Sequence, residues 1–157
     1  MSMHNFEVTI MYGLLLFLHI LSATIWTGGH IVLSCVVLPR ALKEKSSKHL
    51  LDFEKVYEKI GLPALLIQVI TGLLLAHRLL PNIISWFTFE STLSQIIVLK
   101  LSLLALTLGF ALDAKFRVLP GLSNENLNEM AWHIIPVTVI SILFVFAGVA
   151  FRANWFY

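Results

Sequence analysis

The chain has a single cysteine, Cys35, which excludes an internal disulfide and any CxxC metal or redox pair. Methionine is also sparse: there are four, two of them in the first three residues, so no thioether track for a soft metal runs through the chain. Charged residues make up only 13% of the sequence, against 58% hydrophobic and a mean hydropathy of +0.86. That balance excludes an ordinary soluble domain. No Lys or Arg precedes the first apolar run and no small-residue cleavage site closes it, so the run reads as a mature helix and not as a signal peptide. Neither an internal repeat nor a low-complexity segment is found, and no alternation of barrel type occurs.

What is present is four long apolar stretches, over about 10–38, 61–80, 93–116 and 132–152. Each approaches the ~20 residues needed to cross a ~30 Å hydrocarbon core. Because backbone groups in lipid must be satisfied within the segment, the sequence predicts an all-α integral membrane protein. The expected architecture is one four-helix bundle over residues 1–157. Between the first two spans, Leu50, Phe53, Val56 or Tyr57, and Ile60 recur at helical spacing among charged residues, which predicts an amphipathic helix running into span two. Pro81 stops that helix.

Charge placement predicts orientation. Arg40, Lys43, Lys45, Lys48, Lys55 and Lys59 lie between spans one and two, and Lys115 and Arg117 close span three; the other side has only Arg78 and Arg152 at its edges. The positive-inside rule then places both basic loops in the cytoplasm and both termini outside. For a bacterial protein this means a multi-pass protein of the inner membrane with periplasmic termini.

The chemistry concentrates on span one. His19 and His30 are eleven residues apart, so at ~100° and ~1.5 Å per residue they share a face at two depths, ~16 Å apart. Ser22, Ala23 and Trp26 complete a small, semi-polar face that should look inward. With alternating helix directions, His19 and His77 fall in the outer half together with Lys100, and His30 and His133 fall in the inner half. Histidine in hydrocarbon is costly, and membrane ionisable residues mark functional positions.

Two imidazoles at each of two levels match what bis-histidine haem b ligation in a bundle requires, for one or two haems. On that reading Arg78 and Arg152 outside and Arg40 inside would meet haem propionates, and Trp26 would pack against a porphyrin edge. Bland alternatives stand beside it: Lys100 can snorkel, Trp26 can fill core, and single histidines can simply bond across helices. The leading function is thus a haem b membrane redox protein, for electron transfer or as a haem-dependent oxidoreductase. A quinone or a redox protein would be its partner, in a membrane-lipid setting, with homo-oligomerisation left open and no sign of nucleic-acid binding. Copper transport or resistance, with the four histidines as metal ligands, is the alternative, and a cofactor-free accessory subunit is a third.

The pattern of His19, Trp26 and Gly28-Gly29 in HILSATIWTGGH resembles the first helix of the CopD-like family of bacterial membrane proteins, associated with copper resistance and uptake. It is also similar to the HemJ-type protoporphyrinogen oxidases, small four-helix proteins linked to haem b. That likeness extends to the Leu38-Pro39-Arg40 exit, Phe53 before Pro63, Lys100 in VLKL and Pro136. The resemblance implies that His19 is a haem ligand or essential histidine and that Lys100 is an essential, catalytic lysine. His30 lies where the chain departs from the HemJ-type spacing, and His77 and His133 are not part of that pattern.

Overall fold

The structure is a computed structural model and describes residues 3–153 and 155. It is helical, with five α-helices: α1 (Met3–Val32), α2 (Leu38–Glu44), α3 (Lys48–Leu79), α4 (Thr92–Asp113) and α5 (Leu127–Arg152). Four of the resulting rods are long and apolar enough to cross a membrane: Phe6–Glu44, Lys48–Leu79, Thr92–Gly121 and Leu127–Arg152. The apolar runs therefore form an all-α membrane bundle, as their length requires.

Two rods carry a π-helical turn, Leu33–Val37 and Ala114–Val118. Each is followed by Leu-Pro, and in each the leucine N–H bonds five residues back, from Leu38 to Leu33 and from Leu119 to Ala114. A proline removes one helical donor and its ring crowds the carbonyl four residues before it. A widened turn next to the proline accommodates both effects and keeps the rod continuous. The repeated Val-Leu-Pro at 37–39 and 118–120 is the sequence trace of this device.

The amphipathic segment and span two are one helix, α3, and it ends at Leu79, two residues before Pro81. The fourth helix starts earlier than its apolar run suggests, at Leu127, so Pro136 lies inside it and not in its first turns. The residue capping the start of α5 is Asn126. Its side chain accepts from the Ser123 backbone and makes no cap bond to α5. Asn124 bonds across the bundle to Ser47, joining the two basic loops.

Helix α1 packs against both α3 and α5, and α4 packs against α5. No comparable α3–α4 packing closes the ring, so the bundle is a row, α3–α1–α5–α4, with a seam between its two ends. The inward face of α1 includes buried Ser22 and Trp26. On α5 the stripe His133, Val137, Ile140 and Ser141 is buried. An apolar cluster at the basic-loop end, with Leu33, Leu38, Leu50, Val118 and Ile134, ties the two loops to the bundle.

Candidate functional site

His19 projects from α1 onto α3, where Gly72 leaves room for it: a Cβ there would stand 3.1 Å from the His19 ring. Its Nδ1–H donates to the Gln68 carbonyl at 3.1 Å and to Thr71 Oγ1 at 3.0 Å. The Thr71 hydroxyl spends its own proton on the Ile67 carbonyl at 2.6 Å, so it can only accept from His19. Both neighbours of Nδ1 are thus acceptors. The neutral ring is held as the Nδ1–H tautomer, and Nε2 carries the free lone pair. A histidine that binds a metal is typically set up this way, with its far nitrogen donating to a carbonyl.

His77 is exposed on α3, five residues beyond Gly72, and the structure does not bring it to His19. Lys100 reaches from α4 towards α5, where a Cβ on Gly148 would lie 3.6 Å from its Nζ. No carboxylate pairs with it among the described residues.

Eleven residues along α1, His30 stacks edge-on against Trp26, with ring centroids 4.5 Å apart. Tyr57 of α3 packs against both, 5.9 Å from the His30 ring and 6.5 Å from the Trp26 ring, so the three rings form one cluster. Both His30 nitrogens are buried without a hydrogen-bond partner, as are Trp26 Nε1 and Gln68 Oε1. Buried polar groups are nearly always paired, and in a lipid setting water rarely substitutes. This run of four orphaned atoms follows the α1–α3 seam.

Tyr57 holds the seam together. Its hydroxyl donates to the Trp26 carbonyl at 3.0 Å, with the Ile25 carbonyl at 3.3 Å, and its ring occupies the space that a Cβ on Gly29 would need. Gly28, next to it, faces open space. Of the two adjacent glycines, close packing thus belongs to Gly29 alone.

His30 and His133 line one cavity of about 180 Å³, together with Trp26, Glu54, Tyr57 and Lys115. Within it His133 is fully engaged: Nδ1 meets the Glu129 carbonyl at 2.9 Å and Nε2 meets Asp113 at 2.6 Å. Asp113 in turn accepts two bonds from Arg117. Asp113→Ala is expected to lower the thermal midpoint of the purified protein by several degrees, because it strands the buried His133 Nε2. An unchanged midpoint would show that this bond does not hold α5 to α4.

The arginines proposed for propionates sit at helix ends. Arg40 pairs with Glu44 at 2.9 Å, Arg78 bonds the Val8 carbonyl at 3.3 Å and lies over the Tyr12 ring, and Arg152 is exposed at the end of α5. Of the four span histidines, only His30 and the Nε2 of His19 are inside the bundle without a hydrogen-bond partner among the described residues. They stand on one helix ~16 Å apart, too far to act as the two axial ligands of one iron. A cavity of about 180 Å³ is also the scale of a single ring, since ~150 Å³ holds benzene. The four-ring haem macrocycle does not fit this arrangement. Among the described residues, no three His, Cys, Asp or Glu side chains converge as a metal cage.

Sequence reasoning singled out neither Asp113 as the partner of His133 nor Tyr57 and Gln68 as site residues. A helical residue reveals its own face, but the residue opposite depends on how the neighbouring helix is turned.

No curated protein and no solved structure matches the chain. The copper resistance protein D family matches it over residues 51–151, which covers spans two to four and more than half of the chain. Gln68, Thr71, Gly72, Lys100 and Gly148 lie within that stretch; His19 and His30 precede it. The chain belongs to the copper resistance protein D (CopD) family.

Proposed function

We propose that this protein handles copper in the bacterial inner membrane, and that the Nε2 of His19 is its principal protein ligand. The observation that carries the reading is the fixing of the His19 ring through Nδ1 by Gln68 and Thr71, which leaves a basic nitrogen inside the bundle. Family membership supplies the metal, and imidazole is a suitable ligand for copper. The unpartnered Gln68 Oε1 is the second donor on that seam.

With the basic loops in the cytoplasm, His19 stands in the half of the bundle nearer the periplasm, and copper arrives from that side. The partners on this reading are lipid and a copper ion as cargo.

Wild-type protein purified in detergent and dialysed against copper should retain up to one copper per chain by metal analysis, and deletion should alter cellular copper accumulation. Protein that takes up no copper, from cells whose copper is unchanged by deletion, would falsify the proposal. A Soret band with haem recovered on extraction would put haem in its place.

A further inference from the structure

The 180 Å³ cavity lies about 16 Å along α1 from His19 and has no part in the copper reading. Residues of α1, α3, α4 and α5 line it, and its open side falls between α3 and α4, which lack the close packing of the other neighbouring helices. Leu62 of α3 and Leu108 and Leu112 of α4 line it, yet are 46%, 41% and 54% exposed on the apolar surface. The cavity therefore has its mouth in the hydrocarbon, and a ligand reaches it sideways from the lipid.

Polar groups wait inside. Trp26, only 6% exposed, lines the cavity with its indole N–H unpartnered, and both nitrogens of His30 are likewise buried and unpartnered. An indole donor beside an imidazole, which both donates and accepts, is complementary to ring oxygens that are carbonyls or hydroxyls. An acyl chain would leave all three atoms orphaned. An anionic headgroup fares no better, because Glu54 and Glu58 line the cavity and its one lysine, Lys115, is paired with Glu58. What remains is a neutral, lipid-soluble ring with hydrogen-bonding oxygens, and the volume is that of one such ring.

We propose that the cavity between α3 and α4 binds the head of a membrane quinone or quinol, with Trp26 and His30 meeting its oxygens and its tail leaving between Leu62 and Leu108. Copper-free wild-type protein in lipid nanodiscs, titrated with short-tailed ubiquinone, should show saturable quenching of tryptophan fluorescence. His30→Ala should weaken it at least about tenfold, the loss of one good hydrogen bond. Ala111→Phe, which fills the cavity from α4 and leaves the His30 side chain in the protein, should abolish it. A non-saturating signal in the wild type, or equal signals in all three proteins, would overturn the proposal. Should either variant fail to fold, a photoreactive azidoquinone on the wild type decides: labelling of the 61–65 and 108–114 segments supports the site, and labelling spread over the lipid-facing helices refutes it. Because copper is absent throughout, failure here leaves the copper reading standing, and the converse also holds.

Discussion

His19→Ala should lower copper affinity by more than about 100-fold while the bundle stays assembled. Loss of an outer hydrogen-bond partner of a metal ligand typically costs ~10–100-fold, so loss of the ligand itself must exceed that range. Thr71→Val sets the lower step of the same ladder. It removes one of the two Nδ1 acceptors but leaves the Gln68 carbonyl at 3.1 Å, and a loss near 10-fold is expected. The fold should tolerate His19→Ala, since the Thr71 hydroxyl keeps its bond to Ile67 when His19 is gone, and Thr71→Val, since that hydroxyl's own bonds go to carbonyls of the same helix. His77→Ala is the control, because that side chain is exposed and does not meet His19. Copper titration of the four purified proteins checks the series. If His19→Ala binds copper as the wild type does, the ligand lies elsewhere, and the tautomer argument loses its functional meaning.

The second large effect is structural. Gly29→Ala places a methyl 2.1–2.5 Å from the Tyr57 ring and hydroxyl, far inside contact distance. The ring must leave its groove, and the Tyr57 hydroxyl then loses its bonds to the Ile25 and Trp26 carbonyls. Overpacking of this kind costs ~1–3 kcal/mol and sometimes more, and the upper end is expected because a hydrogen bond is lost as well. Gly28→Ala should act in the opposite direction. Nothing lies within 4 Å of that position, and alanine is the better helix former by up to ~1 kcal/mol. Adding Tyr57→Ala to Gly29→Ala should recover part of the loss, since the two changes share one space and will not add. Thermal midpoints of the detergent-solubilised proteins test the set. Equal midpoints for the two single glycine variants would mean that Tyr57 is not the peg between α1 and α3.

The adjacent glycines show how far the sequence could be read. Both are small residues on one membrane helix, and composition gives them the same packing role. Which of them receives a neighbour depends on where Tyr57 points from a helix whose rotation the sequence of α1 does not contain. The histidines divide in the same way. Periodicity placed His19, Ser22, Trp26 and His30 on one inward face, and Ser22 and Trp26 are indeed buried. It also sorted the other histidines by depth, because rise per residue along alternating helices is a one-dimensional quantity. It could not sort them by azimuth. His77 is near the end of α3 away from the basic loops and is exposed, and His133 lies towards the basic-loop end but is taken up by Asp113 and Glu129.

The family likeness illustrates a further division. The pattern quoted for it lies on the first span, whereas the family match covers residues 51–151 and begins after that span. The His19 site draws on both, with the ligand from the first span and its supports Gln68, Thr71 and Gly72 from the matched region.

By itself the sequence determined that this is an all-α membrane bundle with four spans, one amphipathic lead-in to the second, and a semi-polar face on the first. These follow from hydrophobic length and helical period, which are local properties of the chain. Only the tertiary structure decided that α3 and α4 stay apart around a lipid-facing cavity, that Gly29 and not Gly28 meets Tyr57, and that His19 keeps a free Nε2. Each depends on the rotation and neighbour order of rods in lipid. There packing detail and interhelical hydrogen bonds choose the partners, since greasy surfaces gain little from one another when the solvent is equally apolar.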